Sequence, residues 1–197
     1  MKKLTLIAAV VAMAGMVSAN ILLPNGDFEI PGGASWDIGG DAIPSYPSSG
    51  GNGGGYGAWD ATSGGWGVFI SNGGAPLELS YFGLGLAPGD TITIEMDMKS
   101  LSGATGTGGL KMESWTATGN ISYSADMNVA ITSSWETYSW NYTIDSNPAT
   151  THLKFVPLWG AGAATGYDNV GVVPEPATLG LLGISAAAMA FIRRRLI

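Results

Sequence analysis

The run Leu110-Lys111-Met112-Glu113-Ser114-Trp115 sets an ammonium, a carboxylate and an indole at alternate positions. In an extended strand, Leu110 and Met112 fall on one face, and Lys111, Glu113 and Trp115 fall on the other. An exposed indole beside hydrogen-bonding side chains is what a sugar platform needs, because the C–H face of a pyranose ring stacks on it. A bulge, or the end of the strand, would turn Trp115 inward instead. Trp59, Trp66 and Tyr56, in or beside a glycine-rich stretch, are second candidates for such a face. Trp159, in a loop expected before the last strand, is placed to rim it. Tryptophan also packs well in cores, and Trp140, which alternates with Tyr138 and Ile144, is expected inside.

Hydrolytic chemistry finds less support. Glu95 with Asp97, or Glu113 with Glu136, are conceivable glycosidase pairs, which need carboxyl groups roughly 5 to 10 Å apart in a cleft. Glu95 and Asp97 share a strand face with Lys99 and read as solvated surface. His152 is the only histidine, no Gly-x-Ser-x-Gly turn accompanies it, and it begins an alternating strand as a partly exposed residue. Without a second histidine or any cysteine, no zinc set is available. The chain is therefore expected to have no catalytic residue.

These side chains must be held by strands. Between residues 20 and 172 no apolar pattern of period 3.6 is sustained, and short alternating runs recur between Gly, Pro, Asn and Ser clusters. The clearest is Thr91 to Lys99, with Ile92, Ile94, Met96 and Met98 on one face, started by the turn Pro88-Gly89-Asp90. Thr137 to Ile144 is a second, with Tyr138, Trp140, Tyr142 and Ile144 on one face. Shorter candidates are Trp66–Ile70, Leu77–Tyr81, Leu110–Trp115, Met127–Ile131, His152–Leu158 and Tyr167–Val172. Eight or nine strands, each with one wet face, predict an all-β, two-sheet antiparallel sandwich. Residues 39–74 hold 13 glycines and are expected to be mostly extended loop.

Charge narrows the partners. Residues 20–173 carry only Lys99, Lys111 and Lys154 against 14 acidic side chains, a net charge of −11. That surface repels nucleic acid and anionic lipid, which bind through basic side chains, and it tolerates cations such as calcium. With no cysteine, an exported domain must stand on its hydrophobic core, and about 150 residues suffice for one.

The two ends are read as addresses. Met1-Lys2-Lys3, the apolar stretch Leu4 to Val17 and the small-residue site Val17-Ser18-Ala19 form a secretory signal peptide, residues 1–19. At the other end stand Pro174-Glu175-Pro176, an uncharged run of 16 residues from Ala177 to Ile192, and Arg193-Arg194-Arg195. As a helix the run spans roughly 24 Å, a little under the bilayer's hydrocarbon core, with the arginines on the cytoplasmic side. This order resembles the PEP-CTERM sorting signal of Gram-negative bacteria, here residues 173–197. The resemblance implies a membrane-inserted intermediate handled by an exosortase near Pro-Glu-Pro, then release to the cell surface or extracellular matrix.

Four landmarks of the remaining domain, residues 20–172, carry a second resemblance. They are Leu23-Pro24-Asn25-Gly26-Asp27-Phe28-Glu29 followed by Trp36; Leu86-Ala87-Pro88-Gly89-Asp90-Thr91; Trp135-Glu136-Thr137-Tyr138; and Tyr167-Asp168-Asn169-Val170. Their order is similar to carbohydrate-binding module families 4, 9 and 22, which share the galactose-binding-like jelly roll. The resemblance implies non-catalytic binding of a polysaccharide, and places Trp36 and Trp135 in the core; the expected ligand is the producer's own exopolysaccharide. It also implies a structural calcium held by Asp27 or Glu29 together with Asp168, with backbone carbonyls completing the six to eight oxygens calcium takes. Asp27 and Asp168 could equally cap turns. The alternative reading of the whole is a structural surface-layer or biofilm matrix protein without specific glycan binding, and a lesser one is a small secreted hydrolase.

Overall fold

The computed structural model describes residues 20–40, 43–60, 67–103, 105–159 and 164–174. Among these, a compact unit runs from Asn20 to Val173. The expected signal peptide and most of the tail lie outside the described residues. None of the described helices is long and apolar enough to cross a membrane.

The described strands, in chain order, are β1 (Ile21–Leu22), β2 (Trp36–Gly40), β3 (Ile43–Ser45), β4 (Gly57–Asp60), β5 (Gly67–Ser71), β6 (Leu77–Glu78), β7 (Thr91–Ser100), β8 (Gly106–Trp115), β9 (Asn120–Tyr123), β10 (Met127–Ile131), β11 (Glu136–Thr143), β12 (His152–Trp159) and β13 (Ala164–Val173). They form two sheets. The first has the order β11-β7-β13-β4-β3, with β1 also on β13; the second is β10-β8-β12-β5-β2, with β6 beside β12 and β9 beside β8. Every pairing is antiparallel. The expected two-sheet sandwich is what forms.

Alternation explains the core. Ile92, Ile94, Met96 and Met98 of β7 and Val170 and Val172 of β13 point inward from the first sheet, and Leu110, Met112, Leu153 and Phe155 meet them from the second. Phe69 of β5 sits among Trp59, Tyr167 and Phe28, with ring centroids 5.0 to 5.8 Å apart. Such packing of bulky side chains supplies most of the hydrophobic stabilisation of a cysteine-free domain.

Two expectations are corrected here, and one is refined. The glycine-rich stretch keeps a loop at residues 46–56 but also contributes the end of β2 and all of β3, β4 and β5. Glycine there serves close packing, since a Cβ on Gly67 would run into the Trp59 ring and one on Gly57 into Phe28. Leu77–Tyr81 is a strand only at Leu77–Glu78 and then a 3-10 turn, Leu79–Phe82, which buries Leu79 and Phe82 on successive windings. Trp135 lies outside the core, on the far side of the first sheet. Its indole N–H donates to the Gly50 carbonyl at 2.8 Å, Tyr56 meets it edge-on, and Lys99 lies over its ring.

Candidate functional site

The outer face of the second sheet collects the side chains that the Leu110–Trp115 alternation assigned to a wet face. Lys111, Glu113 and Trp115 are partly exposed, whereas Met112 and Ser114 are buried. The β8–β9 pairing does shift register between Ser114 and Trp115, yet Trp115 stays on the outer side. Its indole N–H donates to Glu113 Oε2 at 2.7 Å, which fixes the ring along the strand.

The neighbouring strands complete the surface. β12 places Lys154 opposite Glu113, Val156 opposite Lys111 and His152 opposite Trp115. On the other side of β8, the turn at Thr116–Gly119 folds β9 back so that Tyr123 stands opposite Glu113. Tyr123 is 67% exposed, the most open large aromatic of the described residues. Lys154 Nζ lies 4.0 Å above the Trp115 ring and Lys111 Nζ 4.5 Å above that of Tyr123, geometry for cation–π attraction. Beside them runs a groove of about 430 Å³ with an apolar floor from Val68, Ile70 and Val156 and a polar wall from Lys111, Glu113 and Lys154. Tyr123 and Lys154 were not singled out in the sequence. Lys154 had a signal in the His152–Leu158 alternation; Tyr123 depends on a four-residue strand whose register only the turn defines.

The other aromatic candidates fare differently. Trp59 is 1% exposed, buried against Phe69 by the β4–β5 approach, so it cannot meet a ligand at the surface. Trp66 lies outside the described residues. Trp159 is the last residue of β12 and not part of a loop; its side chain lies outside what is described. Glu113 and Glu136 do not converge, because they stand on strands of different sheets.

Carboxylates gather instead on the outer face of the first sheet, under residues 50–55. Asp168 accepts from the backbone N–H of Asn52 at 2.7 Å and of Asn169 at 2.8 Å. Asp97 Oδ2 accepts from the side-chain amides of Asn52 and Asn169, both at 2.8 Å, and its Oδ1 from Thr137 at 2.5 Å. Glu29 Oε1 accepts from the Gly55 N–H at 2.9 Å. A β-bulge makes this possible. β13 gains one residue on β7 between Asp168 and Gly171, with Asn169 at φ 50°, so Asp168 and Asn169 both face the loop. Asp97, expected on a solvated face, is 5% exposed because this loop covers it.

Burial pushes the Asp168 carboxyl up to about 7; the Asn52 and Asn169 N–H groups oppose the shift, and the like charges of Asp97 and Glu29 add to it. Glu29 and Asp168 both reach residues 50–55, through the N–H groups of Gly55 and Asn52. Asp27 does not join them: its carboxylate turns back to the Glu29 N–H at 3.4 Å. Among the described residues no three acidic or histidine side chains converge as a metal set. A cation here would rest on the two carboxylates, which the loop meets with the Asn52 and Gly55 N–H groups. An all-oxygen donor set with no basic side chain among its hydrogen-bond partners suits calcium chemistry.

The architecture is that of the β-sandwiches found in carbohydrate-binding modules. Solved structures similar to this chain include the C-terminal family 22 carbohydrate-binding module of Clostridium thermocellum Xyn10B (TM-score 0.56, 18% identity, 81% of this chain and 99% of that one). Another is the CBM22-2 xylan-binding domain of Paenibacillus barcinonensis Xyn10C (TM-score 0.55, 15% identity, 76% and 97%). The enzymatically active domain of tailspike protein 4 from bacteriophage CBA120 is also similar (TM-score 0.59, 12% identity), but this chain spans only 21% of its length. At these identities the likeness is one of fold. No curated protein matches the sequence. Residues 172–195 match the PEP-CTERM protein-sorting motif. The chain therefore carries the sorting signal of an exported, exosortase-processed surface protein, with Pro174-Glu175-Pro176 and Arg193-Arg194-Arg195 inside it.

Proposed function

We propose that this protein binds polysaccharide without catalysis, through the outer face of its second sheet, at the surface or in the extracellular matrix of a Gram-negative bacterium. The observation that carries the reading is Trp115, held on that face by Glu113, with Tyr123, Lys111 and Lys154 around it over an open groove. Apolar floor, exposed rings and a few fixed polar groups are the ingredients of a sugar site. The carboxylate of Glu113 is committed to an indole N–H, a positioning role. The likeness of fold to carbohydrate-binding modules supports the same reading, and the sorting motif supports delivery. The tail would insert through residues 177–192 as an inner-membrane intermediate before exosortase cleavage, and the producer's own exopolysaccharide is the nearest ligand.

A structural calcium is the second part of the proposal. Glu29 and Asp168 would hold it against residues 50–55 and so fasten the opening segment to the last strand. Its role is to neutralise crowded carboxylates, away from the ligand face.

Retention of the full-length chain on insoluble and gelled polysaccharides, with and without calcium, tests the reading. Retention that falls on Trp115→Ala or Tyr123→Ala is expected. Retention on no polymer would leave the structural matrix protein as the better account.

A further inference from the structure

Resting on that reading of the groove, we infer that its ligand is a polysaccharide bearing carboxylate groups, and that such a carboxylate draws Lys154 off Trp115 to open the indole for the sugar ring. The first observation is where the cations are. Of the three lysines among residues 20–173, two stand on this face, and the only histidine is beside them. The third, Lys99, is on the other sheet over Trp135. In a domain of net charge −11, this is the one face where cations gather. The acidic groups facing them are Glu113 and Asp126 in the groove and Glu78 opposite His152.

The second observation is what the two ammonium groups touch. Each lies on an aromatic face, at 4.0 Å over Trp115 and 4.5 Å over Tyr123. Those are the faces a pyranose would need. A neutral sugar must displace an ammonium and gains no charged partner for it. A uronate offers the displaced ammonium a charge-assisted hydrogen bond, worth more than a cation–π contact at an exposed site. Lys111 and Lys154 are diagonal neighbours across β8 and β12, about 7 to 8 Å apart at the backbone, so one chain segment can reach both.

Native affinity electrophoresis of the full-length chain in mild detergent separates the possibilities. The gels contain polygalacturonate, alginate or glucuronoxylan, and, as neutral counterparts, fully methyl-esterified pectin, unsubstituted xylan or dextran. At least one acidic polymer should retard the protein about tenfold more strongly than its neutral counterpart, the worth of one charge-assisted hydrogen bond. The preference should shrink with added salt. Lys154→Gln and Lys111→Gln should remove it without lowering the melting temperature, and Lys154→Ala should strengthen retardation by the neutral polymers. Equal retardation by acidic and neutral polymers would overturn the inference and leave the groove as a neutral-glycan site. Acid preference untouched by either lysine variant would also overturn it. No retardation by any polymer would overturn the inference together with the reading it rests on.

Discussion

Trp115 and Trp59 are the same residue type put to opposite uses, and substitution should tell them apart. Trp115→Ala removes a partly exposed ring with one hydrogen bond, so unfolding should cost at most about 1 kcal/mol less while polysaccharide retention is lost. Trp59→Ala empties a fully buried place beside Phe69 and should cost about 3 to 5 kcal/mol by denaturant titration. The folded fraction of that variant should still bind. Asp168 gives a pH signature. Its ordinary value is 3.8 and its folded value about 7, so between these the folded chain holds a proton the unfolded chain has released. Stability from this group is therefore greatest below pH 4 and falls as pH rises toward 7. Thermal melts in chelator should show that decline, and Asp168→Asn should flatten it. Calcium should raise the melting temperature at pH 7 more than at pH 4; equal shifts at both would contradict a site on this carboxylate.

At the scale of elements, β7, β8, β11 and β12 are the strands whose alternation is visible in the residues themselves, since Ile92, Ile94, Met96 and Met98, then Leu110 and Met112, Tyr138, Trp140 and Tyr142, and Leu153 and Phe155 recur at every second position. Their outward faces were equally legible, which is why Lys111, Glu113 and Trp115 stand where alternation puts them. What alternation cannot see is cover. Asp97 has the correct parity for the outer face, yet a loop more than forty residues earlier in the chain lies over it and supplies the Asn52 amide. Nor does it see a bulge: Asp168 and Asn169 share a face only because β13 carries an extra residue there. The short strands β3 and β4 were hidden for a related reason, as they lie among glycines and leave no periodic apolar mark, whereas β5 was legible as Trp66–Ile70. The loop's fit is close enough to test. Gly51→Ala would push a Cβ into the Gly55 backbone carbonyl and Asn52→Ala would strip a donor from Asp97. Each should lower stability by about 1 to 3 kcal/mol, read by chemical denaturation, and leave the groove's binding intact.

For the whole molecule, the two outer faces of the sandwich divide the labour. The first sheet's face is covered around Asp97 and Asp168 by the loop at residues 46–56, with Trp135, Tyr56 and Asn52 holding it down, while Ser139, Asn141 and Thr143 of β11 stay exposed. The second sheet's face is open and carries Tyr123 and the partly exposed Trp115. A domain with one face partly covered and the other furnished with rings and lysines suits one-sided attachment to a polymer, and a terminal sorting motif suits delivery to where such polymers lie. The covered face also explains why seven tryptophans do not mean seven contacts: Trp36 and Trp59 are core, and Trp135 is a clamp. The most direct measurement is amide chemical-shift mapping on the isotope-labelled full-length chain as a soluble oligosaccharide from a retained polymer is added. The expected shifts cluster on Lys111, Glu113, Trp115, Tyr123 and Lys154, with those of Asn52, Trp135 and Asp168 unmoved. Shifts confined to residues 46–56 and Trp135, with β8 and β12 silent, would contradict a binding face on the second sheet.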